Sequence, residues 1–263
     1  MYTSPNNVPS LLPDTFPPLP GPANAIQVKD CVEKGTGFYV FIGYCLVLLF
    51  ATIAVVTIYP MVIAIIASIA TWIYRKRVLA YVRGSYIQAS EQQFPEVYRC
   101  VRDVSSALGM HEVPEVYIVE GNQLNAFAMK AAGKKMIFLL DDVVDACLRS
   151  GNPGTLTFII AHELAHQALG HTSQVRAYMR QMLKALSRKD EFTCDAVAGR
   201  VVNNADTSIL ALTILMTGPQ LLKYVNMSAL VERAREMTTD KHAIKSERQH
   251  SHPLTFRRIG RFC

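Results

Sequence analysis

The hydrophobic pattern of the chain changes character twice. From Phe38 to Tyr74 there are 37 consecutive residues without a charge, twice the length of roughly 18 apolar residues that already suggests a membrane span. One straight helix over that stretch would reach roughly 55 Å, against about 30 Å of hydrocarbon. Pro60, near the middle, is tolerated at the start of a helix and disruptive inside one, so the segment divides into a hairpin of two spans turning near Ile58 to Pro60. Aromatic residues at both ends (Phe38, Tyr39, Phe41 and Tyr44; Trp72 and Tyr74) fit an interfacial belt with both ends at one face, and Tyr59 then marks the other. A single span from Phe38 to Ile58 followed by a shallow interfacial helix is the alternative. In both arrangements Arg75, Lys76 and Arg77 flank the membrane on the side of the downstream residues, which the positive-inside rule puts in the cytoplasm.

Beyond the anchor the period shortens. Ser90 to Leu108 has Val97, Val101, Val104 and Leu108 at helical spacing, with Pro95 in the early part and Gly109 as a stop. Glu115 to Val119, Asn125 to Lys130 and Lys134 to Leu140 read as strands punctuated by Gly121 and Gly133, which predicts a small antiparallel sheet. From Gly154 the pattern is helical again. Ser208 to Met216 is too short to cross a bilayer and reads as a core helix. Seven prolines in residues 1–25 argue for an extended tail without a core. The expected organisation is a Pro-rich disordered tail (1–37), a transmembrane segment (38–74) and one domain (75–263), the domain being α+β and mainly helical.

Composition adds limits. The net charge of +6 is not gathered into a basic stripe with interleaved aromatics, so no nucleic-acid partner is expected. The local cluster Arg75–Arg77 instead suits anionic lipid headgroups beside the anchor. Six cysteines without a CxxC pair indicate neither a zinc knuckle nor a disulfide framework, and point to a reducing compartment.

Candidate chemistry lies in His162-Glu163-Leu164-Ala165-His166. Two histidines four apart on a helix project from one face and are able to share an ion, and Glu163 falls beside them. A zinc peptidase needs ligands that leave a coordination position open for water, and a carboxylate to take that water's proton. The motif sits in an apolar helix, Thr155 to Leu169, with Gly170 as its stop. His171 does not match the metzincin spacing HExxHxxGxxH, because glycine is four and histidine five residues past His166; it is assigned a supporting place. Glu191, 25 residues after His166, is the better third ligand, with Asp195 one turn further on to orient a ligand imidazole. Spacing alone does not single Glu191 out, since surface acids on helices are common.

These residues resemble the HtpX and CaaX-prenyl-protease family of integral-membrane zinc metallopeptidases. His162 to His166 with Gly170-His171 resembles that family's HExxH and following GH. Glu191 to Asp195 resembles its ExxxD, with Cys194 in place of the usual alanine. Asn125-Ala126-Phe127 resembles its NAF strand, which implies an edge strand that pairs with extended substrate. His252-Pro253 with Arg258-Ile259 resembles its HPxxxxRI element, which implies that His252 and Arg258 steady the tetrahedral intermediate. The resemblance implies a zincin-like domain holding one Zn2+ per chain on His162, His166 and Glu191. It further implies a membrane-anchored endopeptidase acting on protein or peptide substrates, through a zinc-activated water with Glu163 as general base. One departure stands out: Gln167 to Asp190 is polar and basic, where many members insert two more membrane helices. This suggests a site open to the cytoplasm. The rival expectation is a membrane-tethered chaperone or adaptor with a structural or vestigial zinc site.

Overall fold

The computed structural model describes residues 26–56, 58–121, 125–131 and 133–263. The Pro-rich stretch of residues 1–25 lies outside them. Residues 26–35, grouped with the tail by composition, pack on the domain: a 3-10 helix, Val28–Cys31, buries Cys31, and Glu33 pairs with Arg261 at 3.1 Å.

Two helices form the apolar segment, α1 (Thr36–Val55) and α2 (Ile58–Ser85). Pro60 falls in the first turn of α2, where the helix needs no amide donor. α1 is long and apolar enough to cross a membrane, with a mean hydropathy of 2.4 and only 6% of that window buried. Leu48, Leu49, Ile53, Ile63, Ile66 and Ile69 stand exposed along the pair, and soluble domains rarely expose large side chains of this kind together. α2 does not end with its apolar part. It continues past Arg75 to lay Val78, Leu79 and Val82 on the sheet.

The sheet has four strands: β1 (Ile87–Gln88), β2 (Glu115–Val119), β3 (Ala126–Ala131) and β4 (Lys134–Leu140), in the order β1-β2-β4-β3. It is mixed. β1 is antiparallel to β2 and β3 to β4, but β2 and β4 run parallel, which corrects the antiparallel expectation. The physical reason lies in the strands themselves. β4 is apolar from Met136 to Leu140 without alternation, and Met136 to Leu139 are all buried, as befits a strand covered on both faces. It therefore takes the interior position. β3, with Lys130 and three alanines, is the edge, and just before β4 Gly133 has φ +84°, a left-handed conformation that glycine adopts without strain. Met136 and Phe138 face α2 with Tyr117 and Val82, while Ile137 and Leu139 face the main core.

That core is helical. α3 (Pro95–Ala107) starts at Pro95 rather than Ser90, because Phe94 sits at φ +53° and breaks the helix before the proline. α4 (Asp141–Arg149) leads to α5 (Gly154–Ala168), which is buried along almost its whole length. A helix apolar on all sides belongs in the centre, and α5 packs against α3, α7 (Lys184–Val202), α8 (Ala205–Leu221) and β3. α6 (Gln174–Met182) packs on α7 and α1. α8 kinks at Gly218-Pro219 and buries Ile209, Leu212 and Ile214, so its apolar run serves the core. α9 (Met227–Thr239), α10 (Lys241–Ser246) and α11 (Thr255–Ile259) close the domain.

Candidate metal centre

α5 brings His162, Glu163 and His166 to one cleft, and α7 brings Glu191 opposite them. Gly170, at φ +73°, ends the α5 segment and turns the chain so that His171 lies behind His166. The Nε2 atoms of His162 and His166 are 3.4 and 3.5 Å from Glu191 Oε2 and Oε1, and all three side chains are buried. These separations are long for hydrogen bonds. They fit the roughly 3.4 Å between two ligand atoms that share one zinc at about 2.1 Å in tetrahedral geometry. Each ring is held through its other nitrogen, which leaves both Nε2 atoms for an ion. The donor set therefore fits zinc.

The two rings are held differently. His162 Nδ1 is 2.9 Å from Asp195 Oδ1. Asp195 in turn accepts two hydrogen bonds from Arg258, from Nε at 2.8 Å and Nη2 at 2.7 Å. His166 Nδ1 lies 3.1 Å from His171 Nδ1; His171 Nε2 lies 3.4 Å from Asp190, which accepts from Arg176 Nη2 at 2.6 Å. Cys194 Sγ is 3.6 Å from His171 Nδ1. Burial opposes protonation of His162, but Asp195 and Glu191 outweigh it and raise the imidazole to about 9. His166 lacks a carboxylate on Nδ1, and burial takes it down to about 3. Burial likewise resists ionisation of Glu191, yet His166, His162 and Arg258 hold it well below the carboxylate range.

Glu163 is buried beside the histidines, and burial raises its carboxyl to about 7, against the pull of the His162 charge and a hydrogen bond from the Ala128 backbone. That hydrogen bond follows from the strand register. Leu140 N donates to Asn125 O, so the alternation of an antiparallel ladder turns the peptide groups of Ala126 and Ala128 away from β4 and into the cleft.

The cleft has a volume of about 330 Å³ and gathers most of the expected site. Asn125, Ala126 and Phe127 line its edge-strand side, and the Asn125 carbonyl side chain accepts from Ala126 N at 2.9 Å. Phe127 stacks on Phe138 with centroids 4.8 Å apart. His252 and Arg258 line the opposite side. His252 is 64% exposed, with Nε2 3.6 Å from Glu191 Oε1. Its segment is tied down by Lys184 and Arg188, which donate to the Gln249 and His250 carbonyls at 2.7 and 2.8 Å. His171 and Asp195 stand behind the metal-facing atoms and outside the cleft lining.

Sequence reasoning missed Arg176 and Arg180. Arg180 Nη2 donates to Glu191 Oε1 at 2.8 Å and lines the cleft. Their spacing of four puts both on one face of α6, a signal available once that helix was assigned. Phe158, Ile159 and Leu215 form an apolar wall that the motifs also did not indicate.

This mainly helical domain sets an HExxH helix against a small mixed sheet, with a glutamate from a second helix across the cleft. Residues 91–184 match the model of peptidase family M48, the family of the HtpX and CaaX-prenyl-protease zinc metallopeptidases, which bears out the resemblance read from the motifs. The matched stretch holds Asn125–Phe127 and His162–His171 and ends before Glu191. Among the curated proteins compared, none matches this chain.

Proposed function

We propose that this protein is a membrane-anchored zinc metalloendopeptidase that cleaves extended segments of proteins on the cytoplasmic side. The observation that carries the reading is the placement of two imidazole Nε2 atoms at 3.4 and 3.5 Å from one buried carboxylate, with Glu163 beside them in the same cleft. His162, His166 and Glu191 would hold the ion. Zinc bound there would supply Lewis acidity that makes water a nucleophile near neutral pH and polarises a carbonyl.

The chain's own residues do the rest. The Ala126 and Ala128 carbonyls, turned outward on an edge strand, would accept from substrate backbone amides, and Asn125 lies at the end of that strand. Glu163, buried beside the histidines, would accept a proton from water and return it to the leaving amine. His252, exposed and opposite β3, donates to the carbonyl oxygen as charge develops. Arg258 has two nitrogens committed to Asp195, which keeps His162 oriented and leaves Nη1 for the substrate side. Asp195 and His171 each steady one ligand ring. α1 and the uncharged part of α2 form the anchor in lipid, with Arg75–Arg77 at headgroup level.

Glu163→Gln keeps the shape of the site and removes the base. It should retain zinc, measured as metal content after dialysis, while cleavage of an unfolded protein falls by a factor of about 100 or more. Undiminished cleavage would remove Glu163 from the mechanism.

A further inference from the structure

We propose that a second cleft, between α2, the β3–β4 turn and the start of α6, binds the phosphate-bearing headgroup of an anionic lipid. The inference rests on the reading of α1 and α2 as a membrane anchor. The cleft, of about 670 Å³, runs along one face of α2 from Ala67 and Ser68 past Thr71 and Trp72 to Arg75 and Lys76, with Gly133 and Gln174 on its domain side. Its two ends differ. Ser68 and Thr71 return their hydroxyl hydrogens to the Ala64 and Ala67 carbonyls at 2.7 Å, so the membrane end is a wall of small residues with no free donor. The domain end is cationic. With the Gln174 amide turned so that its oxygen faces Arg75, it accepts from Nη1 and Nη2 at 3.0 and 2.8 Å, which fixes the guanidinium without neutralising it. Lys76 Nζ lies 5.1 Å over the Trp72 ring. Among the described residues neither cation is in an ion pair. The first turn of α6 adds the positive end of a nine-residue helix.

An uncharged strip roughly 8 Å long, Ala67 to Trp72, leading to two cations without ion pairs is the shape of the headgroup end of a lipid rather than of a free anion. α6 also carries Arg180, which holds Glu191, so an occupant at Gln174 touches the helix that reaches the metal centre.

Trp72 is the chain's single tryptophan and reports directly on this cleft. The full chain in non-ionic detergent micelles should show a saturable change in Trp72 emission with phosphatidylglycerol and none with the same amount of phosphatidylcholine. Inorganic phosphate should act only at far higher concentration. Arg75→Gln with Lys76→Gln should weaken the response roughly tenfold or more, while Arg75→Lys with Lys76→Arg retains it. Equal responses to the two lipids, or an unaltered response in the glutamine variant, would overturn the site. A phosphate response as strong as the lipid's would overturn lipid as its occupant. The titration needs no zinc and should be identical after chelation, so it fails independently of the peptidase reading. Release of the chain from membranes by an alkaline wash would remove the anchor instead.

Discussion

The two sides of the metal centre use the same residue type in opposite electrostatic settings. His162 faces a buried carboxylate that an arginine keeps ionised, and its ring is driven toward the cation, at about 9. His166 faces another imidazole, and its ring is kept neutral, at about 3. A charged partner orients a ring firmly but invites a proton that a metal must displace, whereas a neutral partner orients less firmly and leaves the lone pair free. The site combines one of each.

The largest expected effect comes from breaking the charged side. Asp195→Ala leaves the largely buried Arg258 guanidinium unpaired, so urea denaturation of the zinc-free protein should show a loss of about 3 kcal/mol, and zinc affinity by competition with a chelator should fall roughly 10–100-fold. His171→Asn, on the neutral side, should cost less than about tenfold in zinc affinity. Equal losses in the two variants would erase the distinction between the rings.

pH sharpens the same contrast in the zinc-free protein. His162, raised above its ordinary 6.5, contributes stability that is complete below about 6.5 and is lost as pH rises toward about 9. His166, depressed to about 3, works the other way: the unfolded chain binds the extra proton between about 3 and 6.5, so stability falls as pH drops through that range. Histidine NMR titration should find one ring protonated at pH 7.5 and the other neutral, and Asp195→Asn should bring the first down to 6.5 or below. Two rings titrating together near 6.5 would contradict the assignment.

The smallest effect is expected at Cys194. Its sulfur contacts His171 but burial raises the thiol well above its usual range, so it acts as a small apolar filler. Cys194→Ala should cost about 1 kcal/mol in stability and leave zinc affinity unchanged; a tenfold loss of zinc would give the sulfur a direct part in the site.

Much of this was legible because it is local. The α5 helix falls within one residue of its expected bounds at either end, since apolar spacing and Gly170 define it, and Glu115–Val119 and Lys134–Leu140 match the expected strands. The strand order was not read, because chain order suggests a meander and pairing is a non-local choice. The clue was nonetheless present in the unbroken apolar run of β4 beside the alanines and Lys130 of β3. The links from Asp190 to Arg176 and from Glu191 to Arg180 were likewise invisible without the packing of α6 on α7, while Asp195 and Glu191 were found through a family motif rather than by spacing.

The α2 helix passes from its uncharged half to the back of the sheet without a linker. A tethered enzyme on a flexible stalk sweeps a volume, but one whose stalk is also a structural beam does not. Were the hairpin to lie in a bilayer, as proposed, the metal-site cleft would stand at a fixed height and orientation above the surface. On the proposed reading, an enzyme so held would select where along a neighbouring chain it cuts by distance from the membrane as much as by side-chain identity.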